Sequence, residues 1–214
     1  MGSAQQQGGL SALAAVRLCS SVYDAHPAGF ERVISVSSIV GGIVRTDGGT
    51  AVIFRGSADL GDWMRDLEAD PTELAPLGYV HAGFAEGVPQ FLEAARPYLV
   101  GDISLAGHSL GAAHACLCAA LLGASGTAIQ TLMLFGCPRP GFAQVGEWVR
   151  KNVRTIRSYR NGNDPVPLVP DLLWFYKPVV PPEQIGFNGD PENPVEDHYI
   201  ANYVRAVEAH CVAP

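Results

Sequence analysis

The sequence predicts an α/β architecture, a mostly parallel central sheet with helices on both faces. Two observations carry this. Segments with helical spacing alternate with short apolar strands along the chain. One of those strands runs directly into Gly107-His108-Ser109-Leu110-Gly111, and an apolar helix follows. Composition agrees: 48% hydrophobic and 16% charged residues suit a packed globule rather than a disordered chain. The 214 residues read as one domain, residues 1–214, large enough for a substantial core.

The elements follow in order. Ser11 to Tyr23 has helical spacing, and Val33–Val36 and Gly42–Arg45 read as strands. Asp47-Gly48-Gly49 marks a turn into a further strand, Ala51–Phe54. Gly83 to Tyr98 has helical apolar spacing, and Asp102–Ala106 is a short buried strand. The Ala/Leu/Cys-rich helix after Gly111 reaches about Leu122. Thr131–Phe135 and Val153–Tyr159 read as strands flanking a helix over Phe142–Lys151. Pro165 to Pro194 holds eight of the sixteen prolines, so long regular elements are not expected there. It also carries Trp174, Phe175 and Tyr176, a candidate aromatic wall or rim for a cleft. His198 to Ala209 is helical again.

Charge and cysteine usage exclude several classes. The formal charge is −7 with no Lys/Arg cluster, which argues against a nucleic-acid partner and against docking to an anionic membrane. No apolar stretch approaches the ~20 residues of a membrane-spanning helix. Leu10 to Val16 is apolar but lacks a preceding basic region, so it does not read as a secretion signal. Localisation stays unknown: cytoplasmic as the chain stands, secreted if a leader has been removed. Cys19, Cys116, Cys118, Cys137 and Cys211 are odd in number and lack a C-x-x-C spacing, and buried thiols are the favoured reading over disulfides or metal ligands. No H-x-x-x-H or H-E-x-x-H spacing occurs, so no metal and no cofactor is expected.

Gly107-His108-Ser109-Leu110-Gly111 has the G-x-S-x-G spacing of a nucleophile elbow. A serine at a sharp strand-to-helix turn is strained and crowded, and glycines two residues either side relieve the crowding. The plain alternative is an ordinary turn with a capping serine. A nucleophilic serine needs a base, and the base needs an orienting carboxylate. Asp164 stands directly after the strand ending near Arg160, where sites form in such sheets. Asp171, Asp190 and Asp197 are its competitors, and Asp197 reads better as the cap of the last helix. His198 follows a long loop and can reach over the sheet edge, whereas His210 stands near the C-terminus. His26, His81, His108 and His114 have structural readings. The oxyanion of an acyl transfer needs fixed donors. The Leu110 N–H is one, and Phe54-Arg55-Gly56-Ser57 offers Ser57 as the other.

These motifs together resemble the class 3 lipase family, the fungal-lipase-like branch of the α/β hydrolases, over roughly Thr50 to Tyr203. Ala51–Ser57 resembles the family's strand and oxyanion loop, and Asp62-Trp63 with Asp66 its W-x-x-D segment. Val80-His81 with Gly83-Phe84, the elbow through Ala113, and Asn163-Asp164-Pro165-Val166-Pro167 match further blocks. Asp197-His198 with Tyr203 resembles the terminal histidine region. The resemblance implies an α/β-hydrolase fold with no separate cap domain. It implies Ser109, Asp164 and His198 as triad, Ser57 and Leu110 as oxyanion donors, and a structural ion pair between Arg55 and Asp66. The expected activity is hydrolysis of a small-molecule or lipid carboxylic ester of acylglycerol type through an acyl-enzyme. Phospholipase and feruloyl-type esterase activity are alternatives in the same class. A catalytically silent binding module is the rival from another class. The stretch Ser57–Trp63 stands at the lid position. Its large apolar residues, Leu60 and Trp63, are interrupted by Asp59, Gly61 and Asp62. Short or medium soluble esters, with at most transient contact with a lipid interface, are therefore expected.

Overall fold

In the computed structural model, which describes residues 9–57, 70–170, 175–186 and 193–212, the strands sort by the period-two alternation of their side chains. The main sheet contains β1 (Arg32–Val36), β2 (Ile39–Thr46), β3 (Gly49–Phe54), β6 (Asp102–His108), β7 (Ile129–Phe135), β8 (Val153–Asn161) and β9 (Glu183–Ile185), in that spatial order. β1, β2 and β3 pair antiparallel, and every pair from β3 to β9 is parallel. β4 (Pro71–Glu73) and β5 (Tyr79–His81) form a separate ribbon. On β3, Ala51 and Ile53 join one apolar cluster while Val52 and Phe54 join the other. β6 and β7 divide the same way: Leu105, Leu132 and Leu134 face one side, and Ala106, Met133 and Phe135 the other.

Both faces of the sheet therefore need cover. α1 (Ala12–Ser21) and α6 (Ile200–Val212) supply Val16, Cys19, Tyr203 and Val207 to one cluster. α3 (Val88–Ala95), α4 (Leu110–Ala124) and α5 (Ala143–Asn152) supply Phe91, Leu117 and Val149 to the other. Gly111 to Ala120 of α4 are buried without a break, which is why this helix is apolar all round rather than amphipathic. Its Ala, Gly and Cys side chains let it lie close to the sheet. Ser11 begins α1 as an N-cap, its hydroxyl accepting from the Ala14 N–H at 3.2 Å.

The expected α/β-hydrolase layout, mostly parallel with helices on both faces, is the observed one. Several elements differ from expectation. Gly83–Tyr98 is broken into a single turn, α2 (Ala82–Ala85), then α3, then a 3-10 turn over Arg96–Tyr98. Gly87 with φ of 79° interrupts the backbone between the first two, and Pro89 and Pro97 favour fresh starts. β9 forms inside the proline-rich stretch because three residues suffice to extend an edge. Tyr176 is not part of a rim: it is 1% exposed and packs edge-on beneath Phe142, whereas Phe175 is 55% exposed. Trp174, Asp66 and residues 58–63 lie outside the described residues, and with them the Arg55–Asp66 pair and the lid-position stretch. All five cysteines are free, four of them buried and Cys211 exposed. Among the described residues no helix is long and apolar enough to cross a membrane, and no cluster of His, Cys, Asp and Glu could hold a metal.

His114 on α4 is fully buried with neither ring nitrogen hydrogen-bonded, and burial lowers its pKa to about 4. On unfolding the ring returns to an ordinary value of about 6.5 and takes up a proton below it. Stability therefore falls as the pH drops from about 6.5 towards about 4, by about 1.4 kcal/mol per unit for this group. His114→Leu is expected to be at least as stable as the parent at neutral pH and to lose less stability on acidification. Urea denaturation at pH values on either side of 6 checks this; parallel losses in both proteins would exclude His114 as the source.

Candidate active site

β6 ends in a sharp turn directly into α4. Ser109 follows it directly with φ of 59° and ψ of −131°, and α4 begins at the next residue. Positive φ occurs at only one other non-glycine residue among those described, Ser37. A bulky neighbour could not be accommodated: a Cβ on Gly107 would run into the Gly111 carbonyl, and one on Gly111 into the Phe54 carbonyl oxygen. The glycines two residues either side of Ser109 are thus dictated by the crossing of β6, α4 and the end of β3. The Ser109 N–H donates to the Phe135 carbonyl at 2.9 Å, tying the turn to the end of β7. The backbone N–H of Leu110 stands in the first turn of α4, where no intrahelical acceptor exists. The positive end of the helix dipole lies at the same place.

The neighbouring strand ends converge here. Gly56, just beyond β3, is so close to the elbow that a Cβ on it would lie 2.9 Å from the Ser109 Cβ. Ser57 is the next residue. Asp164 follows β8 after a short turn closed by its own N–H on the Asn161 carbonyl, 3.0 Å. Its carboxylate is fully buried and satisfied by three donors. Oδ1 accepts from the Val166 N–H at 2.8 Å; Oδ2 accepts from His198 Nδ1 at 2.8 Å and from the Tyr203 hydroxyl at 2.6 Å. Burial pushes this carboxyl up, but the hydrogen bond and charge of His198, the Tyr203 hydroxyl and the Val166 N–H outweigh it. The net result is an acid held below its ordinary value.

Because His198 Nδ1 donates to a carboxylate, the lone pair of the neutral ring lies on Nε2. Nε2 and the Ser109 hydroxyl are both buried and neither is hydrogen-bonded, so no serine–histidine hydrogen bond is formed in this structure. Gly136, at the end of β7 with φ of 60°, makes room for the pair. A Cβ there would stand 2.8 Å from His198 Cε1 and 2.9 Å from Asp164 Oδ2.

The structure brings Asp164 and His198 into direct contact, seats Ser109 and Leu110 at the elbow, and sets Ser57 on the loop beside it. Asp171 and Asp190 lie outside the described residues. His210 is on the outer side of α6, paired with Glu183 at 2.9 Å. Asp197 does not cap the last helix. It lies in a 3-10 turn over Glu196–His198, and its carboxylate accepts from the Asn163 N–H at 2.7 Å. Its carbonyl accepts from the Asn161 side chain at 2.9 Å, so Asp197 latches the acid turn to the histidine turn. The contributions of Tyr203, Asn161 and Gly136 carry no sequence signal beyond their places beside the strand ends and the terminal motif. A groove of about 430 Å³ lined by Leu92, Arg96, Leu99 and Ile103 lies at the opposite edge of β6 and offers none of this chemistry.

Comparison with known proteins adds relatives. The family described as Lipase (class 3) matches residues 51–174. The lipase of Rhizomucor miehei is 31% identical over 139 residues, 58% of this chain and 38% of the relative. Secreted mono- and diacylglycerol lipase A of Penicillium cyclopium is 28% identical over 149 residues, 64% of this chain and 48% of the relative. The chain thus spans less than half the length of these curated relatives. Lipase II from Rhizopus niveus shares the fold with a TM-score of 0.65 at 19% identity, covering 89% of this chain and 91% of that one.

Tyr203→Phe removes one of the three donors to a buried carboxylate. The expected cost is about 1–3 kcal/mol of stability. Loss of a donor to the charged form also raises the Asp164 pKa. Since a depressed carboxyl stabilises the fold above its unfolded pKa and loses that contribution as pH falls through its folded pKa, acid unfolding of the variant should begin at higher pH. Urea and acid titrations of both proteins check the two effects; coincident curves would show that the hydroxyl contributes nothing.

Proposed function

The chain belongs to the class 3 lipase family, and on that footing we propose that it is a serine hydrolase of carboxylic esters, with acylglycerols as the substrate class. The observation that carries this reading is the buried Asp164–His198 pair at 2.8 Å, packed at 4.7 Å against the ring of the residue that precedes a serine held at φ of 59°. In this reading His198 Nε2 accepts the Ser109 proton as Oγ attacks the ester carbonyl. The charge that develops on the carbonyl oxygen is met by the N–H groups of Ser57 and Leu110, each donor contributing on the order of 10²–10³ in rate. Protonated His198, stabilised by Asp164, returns the proton to the leaving alcohol. Water then hydrolyses the acyl-enzyme by the same steps in reverse. The unformed serine–histidine hydrogen bond fits this sequence, because such bonds tighten when substrate seats. The chemistry uses no cofactor.

Relatives named as mono- and diacylglycerol lipases support the acylglycerol reading over phospholipids or feruloyl esters. Their description as secreted supports export over cytoplasmic residence. Contact with a lipid interface is transient in this proposal.

Ser109→Ala should lower turnover of p-nitrophenyl esters on the order of 10⁶-fold. A fluorophosphonate should label the parent on Ser109 and leave the variant unlabelled. Absence of both activity and label from the folded parent would point to a silent scaffold instead. Rate against tributyrin concentration is expected to rise smoothly through the solubility limit; a sharp jump there would assign interfacial activation.

A further inference from the structure

Two residues beyond α1, Tyr23 brings its hydroxyl to 3.0 Å from Nδ1 of His108, the residue before the elbow serine. Nε2 of the same ring lies 2.7 Å from the backbone carbonyl oxygen of His198. A carbonyl oxygen can only accept, so Nε2 carries the hydrogen. In the neutral ring Nδ1 is then an acceptor, and the Tyr23 hydroxyl donates to it. The Tyr23 oxygen also lies directly against Gly56, where a Cβ would strike it. The hydrogen-bond chain therefore runs from Tyr23 through His108 to the His198 carbonyl, with its Tyr23 end packed against Gly56 of the oxyanion loop.

We propose that Tyr23 and His108 are positioning residues of the hydrolytic centre, a bridge that sets the main chain of the base at a fixed distance from the oxyanion loop. This rests on the roles proposed above for His198 and Ser57. Neither Tyr23 nor His108 presents an atom to the reacting ester; both act through the loops they join.

Three features make the bridge stiff. His108 is 4% exposed, and its ring packs at 4.7 Å from the His198 ring and edge-on to Tyr203 at 5.5 Å. The approach of Gly56 is so close that a Cβ there would strike the Tyr23 hydroxyl and stand 2.7 Å from the His108 carbonyl oxygen. Each hydrogen bond has a distinct donor and acceptor, so the ring cannot flip without losing both. A working oxyanion donor and base must keep their separation to within about 0.5 Å. Ser57 and His198 come from loops far apart in the sequence, and the covalent chain alone does not hold them so closely.

The bridge also holds His108 in its neutral form. The groups facing His198 are the Asp164 carboxylate, the His108 ring and the Tyr203 ring. A proton on His108 would displace the Tyr23 donor and repel the charged His198. Burial, and then the neighbouring His198, push the His108 pKa down to about 3, which keeps the His108 ring neutral.

The test compares Tyr23→Phe, His108→Leu and His108→Gln with the parent. Folding of each is checked by circular dichroism and urea denaturation. With p-nitrophenyl esters, Tyr23→Phe and His108→Leu should lower kcat on the order of 10–10²-fold, as misplacement of a catalytic loop does, while KM stays near the parental value. His108→Gln keeps an N–H donor near the Nε2 position and should recover part of the His108→Leu loss. Imidazole nitrogen resonances of the parent should show His108 as the neutral Nε2–H form across about pH 5 to 8. Retained kcat in a folded Tyr23→Phe variant would overturn the bridge, as would an Nδ1–H or charged His108 in the parent. A parent inert to both esters and fluorophosphonate would overturn the hydrolase reading and the role argued here with it; an active parent with equally active variants overturns the role alone.

Discussion

A carboxylate at zero exposure has to be matched by donors, and Asp164 organises its surroundings accordingly. An unpaired buried charge costs several kcal/mol. The chain meets that demand with one backbone N–H from the same turn and two side chains from beyond β9, His198 and Tyr203. The position of α6 follows from this. Tyr203 reaches Asp164 from α6 while its ring lies in the apolar cluster shared with α1. One hydroxyl thus couples the packing of the C-terminal helix to the electrostatics of the site. Asp197 and Asn161 close the same seam from the loop side.

From that pair the polarity of the site propagates. Donation by His198 Nδ1 assigns its lone pair to Nε2. The His198 carbonyl assigns the hydrogen on His108 to Nε2, which makes His108 Nδ1 the acceptor for Tyr23. Two histidine rings 4.7 Å apart would repel if both were charged. Here His108 is saturated in its neutral form, accepting from Tyr23 and donating to the His198 carbonyl, while His198 Nδ1 donates to the Asp164 carboxylate.

Strain and crowding sit at the other centre of the fold, the elbow. Ser109 occupies a backbone region that side chains avoid, at a cost of order 1–3 kcal/mol. The apolar core around α4 and the bond from the Ser109 N–H to Phe135 hold it there. The sheet does the rest of the positioning. Parallel register between β3, β6, β7 and β8 brings the carboxyl ends of four strands to one edge, where Gly56, Ser109, Gly136 and Asp164 meet.

Much of this was legible in the residues. Near-continuous apolar runs at Ala51–Phe54 and Thr131–Phe135 marked central strands, because a strand buried on both faces has few positions for polar residues. Gly107 and Gly111 around Ser109 marked the elbow, because the backbone crossing there tolerates no Cβ. Asp164 stood out from its place after a strand, and His198 from its long approach loop. These are local facts, decided by the chain's own covalent geometry and side-chain periodicity. Tertiary structure alone decided the inward turn of Tyr176 and the work of Asp197, whose carboxylate reaches Asn163 instead of a helix end. It also decided the partners of His108. A histidine in an elbow reads the same whether its ring meets solvent, core or a carbonyl. Tyr23 and the His198 carbonyl lie far from it in sequence, and only the closing of α1 and α6 over one face of the sheet brings them to its two nitrogens.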